Sequence, residues 1–202
     1  MEQISQPASK EVLSEKMTSK NSNCIVWIDL ELSGLDIEKD TIIEIACIIT
    51  DKDLNIASKE FNVVIHQPDT VLETMDQWCI KHHTQTGLIK ESKSSQVSLK
   101  EAEQMLFNFL SNHVPKGICP LAGNTVYIDR IFLCKLMPLV NNYLHYRIID
   151  VSSVKELASR WNPVTYINSP RKKLCHRAKM DIKESIQELQ YYKDKLFITE
   201  LS

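Results

Sequence analysis

Two carboxylates close an apolar run near the start of the chain, where residues 24–32 read CIVWIDLEL and SGLD follows. In a strand, alternate side chains face opposite ways, so Asp29 and Glu31 share a face with Ile25 and Trp27, while Cys24, Val26, Ile28, Leu30 and Leu32 line the other. Neighbouring anions at the edge of a core repel and lose hydration, and they need a cation or protons to be tolerated. A solvated strand end is the competing account. A third acid, Asp129, lies in NTVYIDR near a helix start, where it could simply complement the positive end of the helix. A fourth, Asp181, falls at the margin of the stripe formed by Ile182, Ile186 and Leu189, where an ordinary flanking residue would also sit. His176 precedes Asp181 by five positions, roughly 140° away on a regular helix, so the two do not share one helix face. The spacing suits a histidine on a loop or first turn, reaching over a site to which Asp181 contributes; a solvated histidine among basic neighbours is the alternative.

Taken together, four carboxylates from three segments and a histidine form a set able to hold two Mg²⁺ or Mn²⁺ ions. Two such ions roughly 3.5–4 Å apart stabilise both the attacking and the leaving oxygen of a phosphoryl displacement. A neutral histidine can take the proton of the attacking water. Spacing alone does not make these residues meet.

The elements that must position them follow from periodicity and turn chemistry. CIVWIDLEL, TIIEIACIIT (41–50) and IASKEFNVVIH (56–66) read as three strands, the last two joined by DKDLN, which predicts an antiparallel meander. Ser98 and Glu101 make a capping box, and Ala102, Met105, Leu106, Phe109 and Leu110 form one apolar stripe behind it. GICPLAG (117–123) reads as a strand leading into a helix over 127–136. HYRIID (145–150) is another strand with VSSVKELASRW as its helix. A final helix runs from near 176 to about 196, with Ile182, Ile186, Leu189 and Leu196 on its buried side. NPVTYINSPRKKLC, with two prolines and a basic cluster, reads as a loop. The expectation is a mixed α/β layer fold in which three strands precede most of the helices.

Composition narrows the function. The chain has 202 residues, 43% of them hydrophobic, with 24 basic and 26 acidic side chains. That length suits one domain, and the near-neutral charge argues against gripping long nucleic acid by charge alone. The six cysteines never form C-x-x-C pairs, so buried, reduced thiols in an intracellular protein are expected, without a structural zinc site. No apolar run is long enough to span a membrane. The first 22 residues lack the apolar core of a secretory signal, and they hold several acids and no arginine, unlike an intact mitochondrial presequence. A tail over 1–22, a domain over 23–198 and a short end at 199–202 is the predicted organisation.

Read in order, WIDLELSGLD, IIEIA, CPLAGNTVYIDR, LHYRIIDVSSVKELASRW and HRAKMDIKESIQELQYY resemble the oligoribonuclease family of DEDDh 3′-to-5′ exonucleases over residues 24–198, most nearly its animal mitochondrial and cytosolic form. The resemblance implies an RNase H-like sheet with helices on both faces, a homodimer, and hydrolysis of dinucleotides and other very short single-stranded RNA to 5′ mononucleotides in the cytoplasm, mitochondrion or nucleus. Carried over by motif, Asp29, Glu31, Asp129 and Asp181 are the metal carboxylates and His176 the general base. Leu35 matches a residue wedged between the two bases, Trp78 an aromatic at the 3′ base, and His83 a further substrate-side position. Thr125, Arg147 and Ser152 match residues around the 5′ phosphate, with Tyr146 offered by the dimer partner. A closed cap of hydroxyls and a guanidinium would hold a terminal phosphate and leave no exit for a longer chain. The chain departs from the family pattern at Thr125, where serine is usual, at Tyr127 and Ile128, and at Lys179 and Met180, which replace an apolar residue and an aspartate. An exonuclease for longer RNA or DNA ends, and a catalytically weak nucleotide-binding homologue, are the alternative functions.

Overall fold

β1 (Ile25–Leu32) sits at the centre of the sheet because both of its faces can be buried. Val26, Ile28 and Leu30 enter one core and Trp27 the other, matching the alternation in the sequence. The computed structural model describes residues 22–172 and 176–197. The expected tail lies outside these residues except for Ser22, as do Lys173, Leu174, Cys175 and residues 198–202.

β2 (Ile42–Thr50), buried at all nine positions, pairs antiparallel with β1, and β3 (Phe61–Val64) pairs antiparallel with β2. β4 (Leu121–Gly123) and β5 (Ile148–Asp150) extend the other side in parallel, giving the order β3-β2-β1-β4-β5. Nine helices complete the described residues: α1 (Asp69–Leu72), α2 (Gln77–Gln85), α3 (Leu88–Ser94), α4 (Leu99–His113), α5 (Tyr127–Leu136), α6 (Pro138–Tyr143), α7 (Val151–Trp161), α8 (Pro163–Ile167) and α9 (Ala178–Leu196).

The two faces of the sheet are covered by different helices. Leu106 and Leu110 of α4, Phe132 and Leu133 of α5 and Val140 of α6 pack on the Val26 and Ile28 face. Val151 and Ala158 of α7 and Ala178, Ile182 and Ile186 of α9 pack on the Trp27 face. Trp27 is fully buried and its indole N–H donates to Thr50 Oγ1 at 3.0 Å, which fixes β1 two residues before Asp29. Among the described residues, no helix is long and apolar enough to cross a membrane.

Several elements differ in extent from the sequence reading. The strand expected over 56–66 is paired only from Phe61 to Val64, because Asp51 Oδ1 accepts the Asp53 and Asn55 N–H groups, and beyond that turn Ile56 makes a lone bridge to Thr50. The strands expected over 117–123 and 145–150 begin at Leu121 and Ile148, where parallel pairing with a neighbour starts. The final helix begins at Ala178, since His176 has φ 49° and Arg177 is extended. The expected 162–175 loop contains α8, started by Pro163 and by the Asn162 side chain accepting from Thr165 N. The capping box at Ser98 and Glu101 forms, but Met105 in the expected stripe is exposed. Cys24, Cys47, Cys79 and Cys119 are buried, whereas Cys134 is exposed on the outer side of α5. α1 to α3 were not foreseen; Leu72, Met75, Cys79 and Leu88 form a small separate core against Ile43.

Trp27→Ala should cost about 3–5 kcal/mol of stability through the cavity it leaves. Chemical denaturation would show this as a lower midpoint; an unchanged midpoint would contradict the central role given to this residue.

Candidate active site

The period of two in β1 brings Asp29 and Glu31 to one face at the C-terminal end of the strand. α9 crosses that face, and its first turn carries Asp181. Carboxylate oxygens of Asp29, Glu31 and Asp181 all lie within 4.8 Å of one another. Asp129, in the first turn of α5, is buried, and its Oδ1 accepts the Leu30 N–H at 2.9 Å, tying α5 to β1 between the first two acids. The four acids predicted from three segments therefore do converge.

Their electrostatics are those of crowded anions. Burial, then Asp129, Glu31 and Asp181, push the Asp29 carboxyl well above the usual carboxylate range. Burial and the neighbouring Asp181 raise Glu31 to about 8. Burial raises Asp129 to about 8 against the opposing Leu30 N–H bond, and burial with Glu184 raises Asp181 to about 6. An all-oxygen donor set of mutually repelling carboxylates fits a hard divalent cation, whose charge relieves the repulsion.

A cleft of about 480 Å³ opens beside these acids, lined among others by Asp29, Glu31, Asp129, Leu35, Trp78 and Thr125. Leu35 is 74% and Trp78 56% exposed, so both present apolar surface to the cleft. Leu35 stands on a turn closed by Asp40, whose carboxylate accepts from Ser33 Oγ and from Asp36 N, each at 2.8 Å. A side chain at Gly34 would displace the Asp40 carboxylate that closes this turn, because its Cβ would run into it. His83 also lines the cleft but is buried, its Nε2–H donating to Leu32 O at 2.9 Å. Its Nδ1 stands 3.9 Å from Glu31 Oε2, which makes it a neighbour of the acid as much as of any substrate.

His176 lies just before α9 and outside the cleft lining, with its ring 4.7 Å from His82 and 5.3 Å from Trp78, centroid to centroid. Burial, His82 and His83 hold its pKa below the ordinary histidine value, which favours the neutral ring. Beside the cleft, Thr125 N donates to both Asp150 Oδ1 and Ser152 Oγ at 3.0 Å, and the two hydroxyls are 3.1 Å apart. Arg147 and Tyr146 are exposed; the guanidinium lies over the Tyr146 ring, 5.4 Å from its centroid, and neither side chain lines the cleft. Lys179, placed where the family has an apolar residue, pairs with Glu60 at 3.4 Å without entering the core, and Met180 is exposed.

Three supporting groups escaped the sequence reading. Lys172 Nζ donates to Asn124 Oδ1 at 2.7 Å and Ser185 Oγ at 3.0 Å beside the fully buried Glu188. Glu44, 1% exposed, receives the Arg177 guanidinium at 2.9 Å. The His82 ring lies against Trp78 at a tilt of 33°, with centroids 4.0 Å apart. A signal existed for Glu44, an acid inside the otherwise apolar IIEIACIIT; nothing in the local sequence marked the other two.

Residues 26–189 match the family model RNase_T, described as exonuclease. A Drosophila melanogaster protein named "Probable oligoribonuclease" is 54% identical over 173 residues, covering 86% of this chain and 82% of its own length. The human protein named "Oligoribonuclease, mitochondrial" is 53% identical, covering 86% of this chain and 73% of its own. Among solved structures, the zinc-bound complex of Escherichia coli ExoI with single-stranded DNA has a TM-score of 0.68 at 15% identity, over 86% of this chain and 41% of that one. The chain thus spans about two fifths of that longer protein, and the likeness establishes the RNase H-like exonuclease fold.

The raised carboxyls set a pH dependence. Each binds its proton more tightly folded than unfolded, so without metal the folded state loses stability as pH climbs from about 4 towards about 8. A divalent ion displaces those protons, and the rise in Tm on adding Mg²⁺ to the chelated protein should be larger at pH 8 than at pH 6. Asp29→Asn should raise the Tm of the chelated protein at pH 8 and shrink the Mg²⁺ effect. A Mg²⁺ effect that is equal at both pH values would contradict a cation site at these acids.

Proposed function

This chain belongs to the oligoribonuclease family of exonucleases, and we propose that it hydrolyses dinucleotides and other very short oligoribonucleotides from the 3′ end to 5′ mononucleotides. The observation that carries this reading is one small cleft joining the acid cluster, the exposed Leu35 and Trp78, and the Thr125 hydroxyl. Its volume of about 480 Å³ suits a small ligand, and a net charge of −2 gives no broad field for a long strand. The family match over residues 26–189 supports one catalytic domain at 23–198.

In the proposed chemistry Asp29, Glu31, Asp129 and Asp181 hold two divalent ions, Mg²⁺ or Mn²⁺. When bound, these supply Lewis-acid stabilisation of charge on the attacked phosphate and on the leaving oxygen. Water attacks the phosphorus, the bond to the preceding 3′ oxygen breaks, and that oxygen leaves and takes a proton from solvent to become a 3′ hydroxyl. His176 accepts the proton of the water from its position beside Trp78, a role its favoured neutral state permits. Trp78 stacks on the 3′ base and Leu35 separates the two bases; stacking of this kind is worth about 1–3 kcal/mol per base. His83, whose Nε2–H is committed to Leu32, borders the same space.

The 5′ end is read by hydroxyls whose proton directions follow from their partners. Ser152 Oγ accepts from Thr125 N at 3.0 Å and from Asn124 Nδ2 at 3.4 Å. Its own proton is then directed to Thr125 Oγ1, and the Thr125 proton is left to donate to a phosphate oxygen. Arg147 adds its charge, and Tyr146 of a second copy completes the cap. The exposed Tyr146 (73%), Trp161 (77%), Val164 (71%) and Ile167 (73%), with β5 as an open sheet edge, support a homodimer. The relatives named mitochondrial favour the mitochondrion as a compartment; imaging of the full chain only in cytoplasm or nucleus would count against it.

Purified protein with Mg²⁺ or Mn²⁺ should convert a 5′-phosphorylated dinucleotide to mononucleotides, act far more slowly on a twenty-nucleotide strand, and stop with chelator. Asp29→Ala should abolish turnover, and His176→Ala should lower kcat by about 10²–10⁴-fold. Full turnover by Asp29→Ala, or preference for the long strand, would overturn the reading. Trp161→Glu should shift the mass in sedimentation towards the monomer if α7 and α8 meet a second copy; wild-type protein sedimenting as a monomer would rule the dimer out.

A further inference from the structure

We infer that Arg177 is a positioning residue for His176, acting through a double clamp on Glu44 and Glu91. The inference rests on the reading of His176 as proton acceptor. His176 is held at φ 49°, a left-handed conformation that few non-glycine residues adopt. Something next to it must stabilise that bend. The residue that follows it is Arg177, whose guanidinium is engaged along its whole fork.

Nε and Nη2 donate to Glu44 Oε2 and Oε1 at 3.2 and 2.9 Å. Nη1 and Nη2 donate to Glu91 Oε1 and Oε2 at 3.0 and 2.8 Å. Nη1 also approaches Thr86 O, at the C-terminal end of α2, at 3.5 Å. Two bidentate carboxylate pairs fix a guanidinium in direction as well as distance.

The partners explain why this matters to His176 rather than only to α9. Glu44 lies on β2 directly across from Glu31, is fixed further by Asn62 Nδ2 at 3.0 Å, and accepts Ala178 N at 3.4 Å. Glu91 and Thr86 belong to the α2–α3 hairpin, the unit that carries Trp78, His82 and His83. The clamp therefore references the backbone beside His176 to β2, the strand paired with the one bearing Asp29 and Glu31, and to the helix bearing the base-stacking tryptophan. Lysine keeps the charge but cannot make either fork.

The test measures kcat and KM on a 5′-phosphorylated dinucleotide for Arg177→Lys, Glu91→Gln, His176→Ala and the two double variants. Glu91 is the partly exposed partner, so Glu91→Gln loosens one fork without stranding a buried charge and serves if Arg177→Lys folds poorly. Arg177→Lys should lower kcat by up to about 10²-fold, the scale of an ångström-level misplacement, with KM little changed. Glu91→Gln should lower kcat less, and both substitutions should be silent in the His176→Ala background. A loss that persists there at full size, or a shift in KM alone, overturns the positioning role. His176→Ala separates the two failures. Wild-type turnover by that variant removes the proton-acceptor reading and this inference with it, whereas a slow His176→Ala with additive Arg177→Lys removes only the positioning role.

Discussion

Crowding of carboxylates at the end of β1 is the constraint on which the rest of the site depends. Buried charge is expensive unless paired, and elsewhere the chain pairs it. Glu44 is met by Arg177, Glu188 by Lys155 and Lys172, and Glu103 by the Leu139 N–H. Asp29 and Asp181 are in no salt bridge among the described residues, and Glu31 has only the distant ring of His83 at 3.9 Å. Lys172 and Arg177 stand close enough to lower the pKa values of Asp29 and Glu31 respectively, yet Lys172 pairs with Glu188 and Arg177 with Glu44. A fold that gives its other buried acids a partner and leaves this cluster repelling itself suits the cluster to a cation that is not part of the chain.

The architecture around the cluster holds it in place. A central strand buried on both faces cannot shift register without moving every side chain to the wrong face, so Asp29 and Glu31 are located by the same packing that locates Trp27 and Ile28. Asp129 is held by the backbone of β1 itself, and Asp181 by the packing of Ile182 and Ile186 against the sheet. The acids thus sit on rigid elements, while Leu35, Trp78 and Thr125, which line the cleft beside them, sit on turns or at a helix start.

Much of this was legible because the informative patterns are local. The alternation in CIVWIDLEL gave both core memberships, and the largely apolar TIIEIACIIT marked the second strand of the meander. Convergence was not legible: Asp129 meets Leu30 across 99 positions, and only the family resemblance joined them before the fold was known. α2 and α3 escaped because their buried residues are few, Cys79 and His83 in one, Leu88 and Ser92 in the other. With so narrow an apolar stripe, helical periodicity does not stand out. Arg177 escaped for a different reason, since an arginine beside a histidine carries no sign of which distant acids it will meet.

The left-handed residues sharpen the distinction between strain and function. Leu54, Thr125 and His176 all have positive φ. Leu54 closes the surface turn between β2 and β3, where Asp51 organises the backbone and no chemistry is near, so positive φ alone identifies nothing. Thr125 differs because it is β-branched, for which this conformation is a true outlier, and because several groups hold it there. Asp150 Oδ1 binds the N–H groups of both Thr125 and Ser152, and Ser152 Oγ returns to Thr125. The carboxylate at the end of β5 thereby fixes the turn after β4, and the branched side chain has little χ1 freedom left. Where the family uses serine, the added methyl of Thr125 restricts χ1 and so holds the hydroxyl oxygen in one place beside Ser152.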